Sequence, residues 1–467
     1  MPSGLYPWLE IRYNKNVYPI LLEREEQARP KGEKPASFGK VKDHWHNRRK
    51  DGQRMKDLLI RGARIVNPAK GEDYYGDIAV ENGKITAMGC LGSLPGGRKI
   101  NGMGLVAAPG LVDMHVHLRD PGFTQKEDIL TGCRAAAAGG VTSLLAMPNT
   151  NPTTDSPETV RYILDKAQEA DAHVYVAAAV TKGLKSEEPC DWKALAQAGA
   201  IALSDDGRPV ENTKFLAQAM MAAPKLGLRV TAHCEDLYLA KGGIMHEGEI
   251  SRKLGVPGIP AAAEDCGTAR EIALAAAYGI PVHICHVSTR TSMNMIRDAK
   301  RRGVAVTAET CPHYFTLTDK ALEKRDADYR MNPPLRTEDD RLAMIEGLRD
   351  GTLDAIATDH APHTPEEKAD FLHAPNGSVG METSLAASIT QLVETGEMSL
   401  FQLIEKMSVN PARILGIPAG VLEVGAAADI VLFDPKATWT VDENALHGKS
   451  KNTPFKGMTL TGKVKMT

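Results

Sequence analysis

Between residues 111 and 358, eight short apolar runs alternate with helical stretches, and this alternation limits the fold more than any other feature. The runs are 111–117, 141–147, 173–180, 201–205, 229–233, 282–287, 305–310 and 354–358. Helical patterns at 127–138, 157–170, 212–225, 264–278, 291–302 and 338–349 separate them, with a shorter one near 192–197. A helical crossover between strands makes them parallel. Eight such units predict an α/β chain closed into a (β/α)8, TIM-like barrel. An open doubly wound sheet is the alternative. It needs a topological switch point, and the sequence carries no glycine-rich dinucleotide fingerprint.

The flanks read differently. Residues 58–65, 77–80, 84–88, 429–434 and 458–461 have strand character. The two terminal segments, 55–108 and 412–467, are therefore expected to form one small composite β-sandwich domain beside a barrel of 109–411. Residues 1–54 hold twelve Lys or Arg against seven Asp or Glu, in a chain whose net charge is −3. They read as a basic, loosely ordered extension, upstream of a natural start at Met55, rather than as an arm for a polyanion.

A net charge so near zero gives no sign of a nucleic-acid or anionic-membrane partner. No run is long and apolar enough to span a bilayer, and no signal peptide is evident. The seven cysteines are scattered without a Cys-x-x-Cys pair. That argues against a disulfide framework and for a cytoplasmic protein.

The strand ends carry the chemistry. Strand one ends in Asp113-Met114-His115-Val116-His117-Leu118-Arg119. Alternate residues of a strand face one way, so His115 and His117 can offer two imidazoles to one point. Strand four ends in Ser204-Asp205-Asp206-Gly207, strand five in His233-Cys234-Glu235, strand six contains His286, and strand eight ends in Thr358-Asp359-His360. In a parallel barrel all these ends lie at the face where sites are built. A single strand-end histidine is more often a packed residue than a ligand; five on one face are not easily coincidental. Imidazole favours zinc-like metals over magnesium. Four histidines and two aspartates suffice for two ions if one carboxylate bridges.

These motifs resemble those of dihydroorotases of the prokaryotic type I group, within the amidohydrolase superfamily. The likeness runs from Met55 to the C-terminus. It also rests on Asp120-Pro121-Gly122, Met147-Pro148-Asn149-Thr150, Met331-Asn332-Pro333-Pro334-Leu335-Arg336, Ala361-Pro362-His363 and Asn452-Thr453-Pro454-Phe455. The resemblance implies two Zn2+ per chain. His115, His117 and Asp359 would hold one, His233 and His286 the other, with a bridging carboxylate from Asp205-Asp206. Strand alternation allows either aspartate to point inward, and the family's spacing to His233 favours Asp206. No lysine lies within 200–207 to serve as a carbamylated bridge.

The resemblance further implies interconversion of N-carbamoyl-L-aspartate and (S)-dihydroorotate in pyrimidine synthesis, with Asp359 shuttling the proton. Arg119, Asn149 and His363 would hold the substrate carboxylate. His117, Asn332, Asn376 and Gly377 would complete the pocket, with Asn376 standing where relatives carry an aromatic residue. Residues 364–373 are a candidate lid. The alternatives are a dihydropyrimidinase, hydantoinase or allantoinase, whose substrates lack the ring carboxylate, and a non-catalytic partner of aspartate transcarbamoylase, which would have lost metal ligands. A homodimer and a complex with aspartate transcarbamoylase are both compatible with the resemblance.

Overall fold

A computed structural model describes residues 58–92 and 97–467; the basic extension 1–54 lies outside the described residues. Eight strands form one parallel sheet: β1 (Leu111–Val116), β2 (Val141–Ala146), β3 (His173–Ala178), β4 (Ala202–Leu203), β5 (Arg229–Ala232), β6 (Val282–Ile284), β7 (Val306–Thr310) and β8 (Ala355–Ile356). Each pairs with the next in chain order. A parallel bridge between Val116 and His360 brings the end of β8 back to β1, so the sheet closes into a barrel.

Seven helices supply the crossovers: α1 (Ile129–Ala138), α2 (Pro157–Lys166), α3 (Trp192–Ala198), α4 (Thr213–Ala222), α5 (Ala261–Tyr278), α6 (Arg290–Arg301) and α7 (Glu338–Asp350). Six of them start at a side chain that accepts from the first-turn backbone: Asp128, Ser156, Asp191, Asn212, Thr289 and Thr337. These caps satisfy N–H groups that the helix cannot pair itself, and they fix where each strand-to-helix loop ends.

Val112 and Met114 of β1 pack with Leu145, Ala177, Ala202 and Ala355, and Ala412 and Leu415 join that cluster. A β-bulge between Asp113 and Val116 then breaks the pairing register with β2. Bulges re-aim side chains. Here Met114 stays in the apolar layer while His115 and His117 enter the polar cluster described below.

The terminal segments share one sheet. Leu58–Asn67, Glu72–Glu81, Lys84–Gly89, Arg98–Asn101 and Val106–Pro109 join Ile430–Thr440 and Thr459–Met466. Ile430–Thr440 runs antiparallel between Val106–Pro109 and Thr459–Met466. Ile60, Ile65, Ile78, Ile85, Ile430 and Leu432 form its core. The apolar run around residue 110 is thereby split between two sheets. Gly110 is the point of transfer: a Cβ there would lie 2.1 Å from Thr142 Oγ1, so only glycine lets the two segments approach this closely. Among the described residues, no helix is long and apolar enough to cross a membrane.

Candidate metal centre

Every strand end singled out in the sequence contributes to one buried cluster. Asp206, just after β4, sits at its centre. Its carboxylate oxygens lie 3.1 Å from His115 Nε2, 3.4 Å from His117 Nε2, 3.5 Å from His286 Nε2 and 3.6 Å from His233 Nδ1. Asp359 Oδ1 lies 3.1 Å from His117 Nε2 and 3.7 Å from His115 Nε2. His233 Nδ1 and His286 Nε2 are 2.9 Å apart.

Asp205 turns the other way. Its carboxylate accepts from the backbone N–H groups of Val180 and Thr181, at 2.6 and 3.2 Å, and from the Thr181 hydroxyl. It anchors the end of β3, while Asp206 faces the imidazoles. Arg119, His286 and Asp359 all have left-handed backbones, with φ of 61°, 36° and 48°. Such conformations cost of order 1–3 kcal/mol each and persist only where surrounding contacts impose them.

The donor set fits divalent metal ions. Ligand atoms ~2.0–2.2 Å from a common tetrahedral ion would be roughly 3.4 Å apart, which is the spacing found here. Among the described residues three triads share His115, namely His115–His117–Asp359, His115–Asp206–His286 and His115–Cys285–Glu309, each with its ligand atoms within 4.8 Å of one another. His115 Nε2, which faces Asp206 and Asp359, is buried without a hydrogen bond of good geometry. Unsatisfied buried polar atoms are costly, and a cation would relieve them. Burial opposes charge on His115, but Asp206 beside it outweighs that and raises its pKa well above the ordinary value. Burial likewise opposes ionisation of Asp359, yet the close His117 and the neighbouring imidazoles hold its carboxyl at about 2.

Asn149 and Glu235 orient two of the rings. His117 Nδ1 is 2.7 Å from Asn149 Oδ1, which aims Nε2 at the carboxylates. His233 Nε2 is 3.3 Å from Glu235 Oε2, and Asn332 Nδ2 donates to that same oxygen at 3.1 Å. Asn149, expected among the groups for a substrate carboxylate, meets His117 through its acceptor Oδ1, and its Nδ2 is the atom that could donate to a carboxylate.

Beside the cluster lies a second group. Arg119 Nε donates to Pro362 O at 3.2 Å, and its Nη2 is 3.3 Å from His363 Nε2. His363 Nε2 is also 2.9 Å from the carbonyl oxygen of Asn376. The Asn376 side chain accepts from Arg330 at 3.4 Å, so its difference from an aromatic residue leaves the backbone contact to His363 in place. Gly377 has φ 138°, and a Cβ there would lie 2.7 Å from Ala361 Cβ. Asn452 clamps this wall: it accepts from His363 N at 3.1 Å and donates to Gly377 O at 3.0 Å and Ala361 O at 3.3 Å. Arg119 is 9% exposed. Burial lowers its pKa to about 10, so it stays cationic at neutral pH. Among the described residues, no carboxylate lies within ion-pair distance of it. A buried guanidinium fork lacking an anion is suited to an anionic ligand.

Sequence reasoning gave no role to Asp113, Glu235, His283 or Glu309. Asp113 accepts from Thr358 N at 3.1 Å and Thr358 Oγ1 at 2.5 Å, and so ties β1 to the end of β8. It stands two residues before His115 in a run of alternating polar residues, and that alternation was the available signal.

A model of the amidohydrolase family matches residues 106–467. The dihydroorotase of Geobacter metallireducens is 50% identical over 414 residues, which cover 88% of this chain and 97% of that protein. The dihydroorotase of Acetivibrio thermocellus is 48% identical over 412 residues, with the same coverage of 88% and 97%. Among solved structures, the L-hydantoinase (dihydropyrimidinase) from Arthrobacter aurescens has the same fold, with a TM-score of 0.77 at 24% identity, covering 88% of this chain and 95% of that one. The D-hydantoinase from a Bacillus sp. AR9 gives a TM-score of 0.75 at 28% identity over 87% and 93%.

Proposed function

The chain belongs to the amidohydrolase family, and we propose from that premise that it is a dihydroorotase, closing N-carbamoyl-L-aspartate to (S)-dihydroorotate and reopening it. Identity of 50% to a dihydroorotase across almost all of that protein supports this reading. The single structural observation that carries it is the buried, unpaired Arg119 beside the imidazole–carboxylate cluster. Dihydroorotate bears a ring carboxylate, and a dihydropyrimidine or hydantoin does not. The likeness to hydantoinases is one of fold, at lower identity.

In this reading His115, His117, His233, His286, Asp206 and Asp359 would hold two zinc ions. Divalent metals so bound supply a hydroxide nucleophile at neutral pH and polarise the carbonyl under attack. Arg119, Asn149 and His363 would hold the substrate carboxylate, and His117, Asn332, Asn376 and Gly377 would complete the pocket around the ring. Asp359, ionised before reaction, takes the nucleophile's proton and returns it to the leaving ring nitrogen; in synthesis it takes the proton of the attacking carbamoyl nitrogen. The enzyme would serve pyrimidine synthesis in the cytoplasm. A homodimer and a complex with aspartate transcarbamoylase are both compatible with this role. The barrel would be 109–411, with 55–108 and 412–467 as the flanking domain.

The test compares dihydroorotate with uncharged dihydrouracil as substrates for the wild type and Arg119→Ala. The wild type should prefer dihydroorotate. The variant should lose about 10²-fold or more on dihydroorotate alone, because truncating one partner of a buried charge pair costs roughly 2–5 kcal/mol. Equal losses on both substrates would make Arg119 a structural residue.

A further inference from the structure

Beneath the cluster lies a polar group that the reaction itself does not use. Glu309 of β7 is wholly buried. Its Oε1 is 3.3 Å from His115 Nδ1 and its Oε2 is 3.2 Å from His283 Nε2. His283, on β6, holds Thr307 Oγ1 at 2.9 Å through its other nitrogen. The chain of contacts therefore runs from His115 on β1 through Glu309 to His283 and Thr307. Among the described residues, Glu309 has no Lys or Arg within ion-pair distance. A carboxylate buried this deeply costs several kcal/mol unless charge or hydrogen bonding compensates it, and a hydrophobic residue would have filled the space.

We propose that Glu309 is a positioning residue for the metal centre: steadied by His283, its carboxylate keeps the His115 proton on Nδ1 and leaves the Nε2 lone pair for the metal. This rests on the reading of His115 as a ligand. The physics is that of an imidazole between an anion and a cation. An acceptor facing one nitrogen fixes the tautomer, restrains the ring and makes the other nitrogen a better donor. His115 Nε2 already points at Asp206 and Asp359, so the tautomer with Nδ1 protonated is the one that can bind. Cys285 also borders His115 and Glu309.

Metal titration of the apoprotein against a competing chromophoric chelator tests this. Glu309→Gln keeps the volume but offers an amide where the carboxylate was. One of its two zinc ions should bind about 10- to 100-fold more weakly, the usual worth of such a partner. The other ion should be held as in the wild type, and the melting temperature of the apoprotein should be little changed. Glu309→Asp should recover part of the affinity. If Glu309→Gln does not fold, His283→Gln serves, with the same selective loss at smaller size. A folded Glu309→Gln that binds both ions as tightly as the wild type would overturn the inference. So would three zinc ions per wild-type chain, since Glu309 would then be a ligand. A wild type that takes up no zinc would instead overturn the reading of the site, and the inference with it.

Discussion

In the proposed function Asp359 would both bind metal and carry the proton. Asp359→Asn keeps the shape and one oxygen donor but cannot carry a proton at neutral pH. It should retain most of its zinc by elemental analysis while kcat falls about 10²- to 10⁴-fold, the range for general acid–base catalysis. Loss of metal in step with activity would make Asp359 chiefly a ligand, and near-normal turnover would move the shuttle to another group, His363 first. At this scale the sequence was informative wherever a polar residue ended an apolar strand. His115, His117, His233, His286 and Asp359 all stand at such ends, and all lie in one cluster. Alternation could not separate Asp205 from Asp206, because the choice is made by Thr181 and the backbone of the neighbouring strand end. Glu309 and His283 were illegible for a related reason. A polar residue inside a strand acquires meaning only when the strands it meets are known: β1 for Glu309, and the adjoining β7 for His283.

Among elements, the segment after β8 depends on the far end of the chain. Asn452 holds the backbone of Ala361, His363 and Gly377 together, so a residue from the C-terminal segment helps build the wall beside Arg119. Asn452→Ala leaves one N–H and two carbonyls without these partners. At roughly 0.5–1.5 kcal/mol net per hydrogen bond, it should destabilise the protein by about 2–4 kcal/mol, measurable by denaturant unfolding of the metal-loaded enzyme. A change within 0.5 kcal/mol would show that water replaces the side chain without cost. Residues 364–373, read as a candidate lid, are partly tied down. Glu366 is exposed, but Lys368 is buried and donates to Ala327 O, Pro375 O and Arg330 O at 2.9, 2.9 and 3.2 Å. All eight barrel strands were legible, since each is a compact apolar run between helical patterns. Arg98–Asn101 and Val106–Pro109 were not. The first is short and polar. The second is continuous in hydrophobicity with β1, and only the contact of Gly110 with Thr142 divides them.

For the molecule as a whole, buried histidines set a pH limit. Burial first, and the Arg336 charge second, lower the His246 pKa to about 4, against about 6.5 in an unfolded chain. Below about pH 6.5 the unfolded state binds a proton that the folded state refuses, so this contribution is whole above pH 6.5 and is lost as the pH falls toward 4. His246→Gln removes that titration. The melting temperature of the wild type relative to the variant should therefore drop between pH 7 and pH 4.5, and a difference that does not change with pH would contradict the assignment. The architecture as a whole was readable because crossover helices force parallel strands and eight of them close. The joining of the two terminal segments into one sheet followed from their shared strand character. The most direct test of the account is to strip the purified protein of metal and add zinc back in steps while following dihydroorotate hydrolysis. The account predicts no turnover without metal and activity that rises to a plateau at two zinc ions per chain. Undiminished hydrolysis by the stripped protein, or none at full zinc loading, would contradict it.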